Sequence, residues 1–174
     1  IALLVGLLLM ALAWVQWRVQ QAEVRAPEQA APGGRWVHAH DADIHIQEWG
    51  AANAPVLLLV HGTGAWAGTW SSNVAAMTAA GFRVVALDLP PFGFSRKPAT
   101  EDYSREAQAR RILAVIEQLN AGPVTLLGHS FGGGPAAEAA MRNPAVVSHL
   151  VLVDAAIGMQ GDQPAPCDAP WLAE

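Results

Sequence analysis

The run Gly128-His129-Ser130-Phe131-Gly132, followed by Gly133 and Gly134, sets one hydroxyl between glycines at fixed spacing. The pattern G-x-S-x-G belongs to a sharp strand-to-helix turn that lifts a serine hydroxyl clear of a sheet. Such a turn strains the serine backbone, so the residues two before and two after must be small. Gly128 and Gly132 meet that requirement. The chemistry on offer is nucleophilic attack by Ser130 through a covalent intermediate, and it needs a general base, because a free hydroxyl does not ionise on its own. The N–H of Phe131, opening the helix, would point at the developing oxyanion and gain from the helix dipole. As five letters the pattern recurs by chance, and the alternative is a glycine-rich turn with an exposed serine. A strand before it and a helix after it give it force.

A second loop, His61-Gly62-Thr63-Gly64, directly follows an apolar run. A tight glycine turn there can aim a backbone N–H at the same oxyanion, and Thr63 is the expected donor. His61 reads as a turn or packing residue with its ring bonded to loop backbone, not as a base. A third loop, Asp88-Leu89-Pro90-Pro91-Phe92-Gly93-Phe94-Ser95, is a proline-rich rigid turn that carries no chemistry by itself.

These loops need elements to hold them. Trp36–His40 and Ile44–Trp49 alternate in polarity around Asp41-Ala42-Asp43, which predicts a hairpin. The runs Val56–Val60, Arg83–Leu87, Val124–Leu127 and Leu150–Val153 are short and apolar, as strands buried on both faces are. Between them, Trp70–Ala80 reads as a helix closed by Gly81. Tyr103–Leu119 reads as a helix capped by Ser104, with Ile112, Val115, Ile116 and Leu119 on one face, ended by Gly122-Pro123. Gly132–Arg142 is a third helix. Strands joined through helices build a mostly parallel sheet with helices on both faces, an α/β architecture.

With their elements, the three loops resemble the α/β-hydrolase superfamily over about Trp36 to Ala156, in the branch marked by HG, DLPGFGxS and GHSxGG. The resemblance implies the N-terminal half of that fold, with the rest beyond Glu174. Pro91 stands where that loop usually has glycine, which puts the local loop shape in question if the glycine had positive φ. Relatives in this branch that open epoxides or displace halides carry Asp at the nucleophile position. Serine there implies acyl transfer to water, with esters, thioesters, lactones, amides or activated carbon–carbon bonds as substrates.

In this fold the order is serine, acid, histidine. After Ser130 the only histidine is His149, which precedes the last strand and so falls at the end of the sheet away from the nucleophile. Asp154, Asp162 and Asp168 have no histidine after them. Asp154 is an acid candidate in some layouts of the family, although a strand-end Asp more often caps the next loop. The triad acid and histidine are therefore expected outside these residues. Residues 157–174 lose periodicity and read as the start of a cap, where Trp171 and Leu172 line a pocket or pack on the cap's own core. Cys167 has no activating neighbour and reads as inert. No cofactor and no metal is expected.

Ahead of the core, Ile1–Trp17 is uncharged with Gln16 its only polar side chain. As a helix at ~1.5 Å per residue it would cover about 26 Å, against a ~30 Å hydrocarbon core, with upstream residues supplying the difference. Trp14, Trp17 and Arg18 resemble an interfacial belt with a charged stop. The expectation is a single-pass membrane anchor over 1–18 and a linker over 19–34. A cleaved signal peptide, cut near Ala11-Leu12-Ala13, is the alternative. The 174 residues are 52% hydrophobic and 14% charged, which excludes a disordered chain. The net charge of −5 without a basic cluster gives no nucleic-acid partner. The expected partner is a small-molecule or lipid-like substrate. Two other readings stay open: a non-catalytic binder on the same fold, and a perhydrolase or lyase using the same serine.

Overall fold

Val56–Val60 and Arg83–Leu87 form strands at the expected residues, and each is buried nearly end to end. They are β3 and β4 of a six-stranded sheet with order β1-β2-β4-β3-β5-β6. The others are β1 (Arg35–Ala39), β2 (Ala42–Trp49), β5 (Val124–His129) and β6 (Val147–Val153). In the computed structural model the described residues are 2–23, 31, 33–155 and 157. They fall into two units, Ile1–Gly33 and Gly34–Glu174.

The sheet belongs to the second unit. β1 and β2 are the predicted hairpin, and β2 runs antiparallel to β4. From β4 through β3 and β5 to β6 the pairing is parallel. Successive side chains of a strand point to opposite faces, so the central strands feed two cores. On one face Leu58, Val60, Val85, Leu87 and Leu126 meet helices α3 (Arg105–Leu119) and α4 (Gly133–Arg142). On the other, Leu57, Leu59, Val84, Ala86 and Leu127 meet Ala67 and Val74, the latter from α2 (Ser71–Ala79). Helices thus cover both faces.

The α3 stripe is as the spacing predicts: Ile112, Val115, Ile116 and Leu119 are all buried. Ser104 caps it, its hydroxyl accepting from the Ala107 N–H at 3.2 Å. The helix ends at Asn120 in the left-handed region (φ 46°), two residues before the expected glycine. Asn tolerates that conformation, so Gly122 is not required as the cap. α3 is tied to the hairpin by Arg111, whose Nε and Nη2 each donate to an Asp41 carboxylate oxygen at 2.7 Å.

The first unit contains α1 (Ala2–Glu23). The anchor expectation is corrected here: among the described residues no helix is long and apolar enough to cross a membrane. The charge-free part of α1 ends at Trp17, and Arg18, Gln20, Gln21 and Glu23 follow within the same helix. Ala2–Trp17 covers about 24 Å at ~1.5 Å per residue, short of the ~30 Å that a span requires. The single-pass anchor, its membrane location and membrane partnership therefore fall. The expected cap, with Asp162, Cys167, Asp168, Trp171 and Leu172, lies outside the described residues apart from Ile157.

Candidate active site

β5 delivers His129 at the carboxyl end of the sheet, and the chain then turns within one residue. Ser130 has φ 50°, in the left-handed region, although it carries a side chain. It opens a 3-10 turn, Ser130–Gly132, that leads into α4. A serine in that conformation is strained, and the strain has to be held by its surroundings. A Cβ on Gly128 would lie 2.7 Å from the Gly132 carbonyl oxygen and 2.9 Å from Ala136 Cβ. One on Gly132 would strike the His61 carbonyl and stand 2.8 Å from Val60 Cγ1. Both elbow glycines are thus demanded by close approach. Ser130 itself is half-buried.

The loop after β3 comes to this turn. A Cβ on Gly62 would sit 3.1 Å from both Ser130 Cβ and His129 Nδ1, which puts the glycine of that loop directly against the nucleophile candidate. Thr63 follows it and is exposed. The third loop closes on the same place: Phe92 stands edge-on to Phe131 at 6.2 Å and to His61 at 6.0 Å. The three loops that the sequence separates by tens of residues therefore share one end of the sheet. The left-handed residue of the third loop is Gly93 (φ 64°), while the Pro90–Pro91 peptide is cis. Pro91 is not among the residues with positive φ, the conformation that proline cannot adopt.

His61 is structural, as its sequence context suggests. Its Nε2 accepts from the Leu89 N–H at 3.0 Å, which leaves Nδ1 to donate to the Gly62 carbonyl at 2.8 Å. Burial pushes its pKa down, consistent with a neutral ring. His45 is occupied by Asp88 (3.0 Å), His38 by Asp43 (2.9 Å) and His40 by Arg110 (3.2 Å). His149 pairs in register with Thr125, near the start of β5 and far along the strand from Ser130. Asp154 is exposed just past β6, with φ 46°. Among the described residues, no histidine is hydrogen-bonded to the Ser130 hydroxyl.

Sequence reasoning passed over the most heavily bonded side chain near the site. Asp88, treated as part of a rigid turn, is fully buried against His45, which is buried as well. A Cβ on Gly93 would collide with the Asp88 carboxyl. The available signal was an acid at the end of a strand buried on both faces, where an ionised group needs partners. Its partners lie up to 43 residues away in sequence and gave no local pattern. Trp70, at the end of the 3-10 turn Ala67–Trp70, stands edge-on to His129 at 6.2 Å.

Comparison with known proteins bears on this arrangement. The family model described as alpha/beta hydrolase fold matches residues 55–170. A 2-hydroxymuconate semialdehyde hydrolase of Pseudomonas sp. (strain CF600) is 31% identical over 150 residues, covering 85% of this chain and 52% of that protein. The structure of an esterase from Exiguobacterium antarcticum superposes with a TM-score of 0.66 at 31% identity, over 72% of this chain and 46% of the other. That of a bacterial membrane phospholipase A does so with 0.68 at 32% identity, over 91% and 53%. The chain spans about half the length of the relatives it matches.

Proposed function

The chain belongs to the α/β-hydrolase fold family, and from that premise we propose that the whole protein is a serine hydrolase with Ser130 as its nucleophile. The observation that carries this is Ser130 at φ 50° on a strand-to-helix turn, with Gly62 packed against its Cβ. A strained serine is kept where the strain serves a reaction.

In the proposed reaction Ser130 Oγ attacks the acyl carbon and gives its proton to a base. The carbonyl oxygen becomes an oxyanion, held by the backbone N–H groups of Thr63 and Phe131. The tetrahedral centre collapses, the leaving group departs with a proton, and water then frees the acyl group by the same route. Phe131 is the second residue of the turn into α4, so its N–H adds the partial positive charge of a helix start. The substrate class is a small or lipid-like ester, or a compound with an activated carbon–carbon bond. The serine supports this, since its hydroxyl suits acyl transfer. The related proteins support it through their names, which cover a semialdehyde hydrolase, an esterase and a phospholipase.

The test is labelling of the full-length protein with a fluorophosphonate, followed by peptide mapping. Ser130 is the expected site, and Ser130→Ala is expected to abolish labelling and lower turnover by at least about 10³-fold. Labelling at another residue, or turnover within tenfold of the parent, would refute the assignment.

A further inference from the structure

The Asp88 carboxylate plays no part in that reaction, yet it joins the loops around it. Its Oδ1 accepts from the Ala67 N–H at 2.5 Å. Its Oδ2 accepts from the Phe94 N–H at 2.9 Å and meets His45 Nδ1 at 3.0 Å. The backbone of the same residue is fixed too. Its N–H donates to the His45 carbonyl at 3.0 Å, and its carbonyl accepts from the Ser95 hydroxyl at 2.6 Å. Ser95 Oγ in turn accepts from the His45 N–H at 2.7 Å. A fully buried carboxylate is costly unless its oxygens are occupied, and here both are.

Ala67 is the first residue of the 3-10 turn that leads into α2, and its own N-cap residue, Trp66, offers no side-chain bond. Asp88 supplies the missing cap from 21 residues away in sequence. The other end of the same loop is pinned as well, because His61 Nε2 accepts from the Leu89 N–H. The stretch carrying Gly62 and Thr63 is thus fastened at both ends to the segment following β4. Between the pins lies the turn bond from the Ala65 N–H to the Gly62 carbonyl, a long one at 3.3 Å.

We propose that Asp88 is a positioning residue for the oxyanion hole: by holding the Ala67 N–H it sets the path of residues 62–66, and with it the place of the Thr63 N–H. The proposal rests on the roles given above to Ser130 and Thr63. Oxyanion donors act through preorganisation, so displacing one weakens binding of the tetrahedral state more than binding of the planar ester.

Two variants of the full-length protein test this with a chromogenic ester and with a boronic acid that forms a tetrahedral adduct on a serine hydroxyl. Asp88→Asn keeps the shape of the side chain but replaces one accepting oxygen by a donor. Ala67→Pro deletes the single N–H at a first helical position, where proline is tolerated. Trp66, at φ −155° and ψ 176°, already has the extended conformation favoured before proline. Both variants are expected to lower kcat by about 10–10²-fold with KM within about threefold, and to weaken the boronate in proportion to kcat. Unchanged kcat overturns the proposal. So does a fall in kcat with boronate affinity intact, which marks a smaller folded fraction. Unfolding of both variants also overturns it, since the bond would then serve the fold. Ser130→Ala, run in parallel, separates the two claims: full turnover there removes the nucleophile reading itself, whereas its loss beside an unaffected Asp88→Asn removes only the present proposal.

Discussion

A side-chain-bearing residue at φ 50° lies in a sparsely populated region, and around Ser130 the glycines at 62, 128 and 132 each permit a close approach that a side chain would block, Gly62 against the Ser130 Cβ itself. The local spacing of the elbow made that much legible in the sequence, since strand, turn and helix start are consecutive. The oxyanion donor proposed on the other loop is a backbone group, and this leads to a test in which side-chain identity matters little. Thr63→Ala is expected to retain most activity, because the N–H remains. Thr63→Pro removes the N–H and is expected to cost about 10²–10³ in kcat, the usual effect of losing one such donor. Equal kcat in the two variants would remove Thr63 from the site. Asp88 was illegible at this scale for a physical reason. Its bonds to Ala67 and His45 close loops of 21 and 43 residues, and nothing adjacent to Asp88 in sequence announces them.

At the scale of elements, the strands were readable because parallel strands buried on both faces become uninterrupted apolar runs, as in Val56–Val60. α3 was readable through its stripe and its Ser104 cap. Less visible was what fixes α3 against the hairpin. Arg111, fully buried, reaches Asp41 with two bonds and also donates to the Asp102 carbonyl and to Gln108 Oε1. Gln108 Nε2 donates onward to the Pro90 carbonyl, so the hairpin turn, α3 and the third loop form one chain of contacts. The Arg111 hydrogen bonds hold the Asp41 carboxyl down at about 2, against an ordinary value of 3.8. A folded-state pKa below the unfolded one means the stabilisation is present above pH 3.8 and is lost as pH falls toward 2. The expected size is about 1–2 kcal/mol, allowing for the partial exposure of the carboxylate. Urea denaturation of the parent and of Asp41→Asn across pH 2–6 checks this. The stability gap should be widest above pH 4 and should narrow steadily below it. A gap independent of pH would show that the pair contributes through packing and not through charge.

For the whole chain, the question is whether these 174 residues hold a complete catalytic set. Five of the six histidines are accounted for by position or partner. His45 and His61 are buried in loop contacts, His38 and His40 bond at the hairpin, and His149 sits toward the other end of the sheet. The sixth, His129, is part of the elbow and stands against Gly62 and Trp70. None is bonded to Ser130, so among the described residues no histidine is placed to take its proton, and of the proposed machinery only binding and the oxyanion donors are left to act. Those two contributions are worth roughly 10³–10⁴-fold over water elsewhere, several orders below a serine enzyme with its base. The sheet points the same way. Among the described residues β6 is its outer strand, and Leu150, Val151, Leu152 and Val153 are 38–42% exposed on it. An apolar, unpaired strand edge favours association with other chains. Expressed as these 174 residues, the polypeptide is expected to release no burst of chromophore from an activated ester and to elute as aggregate in size-exclusion chromatography. A soluble monomer showing a burst that disappears in Ser130→Ala would contradict both halves of the argument. The base would then have to be sought among His61, His129 and His149, and His129, the one placed beside Ser130, would be the first to replace.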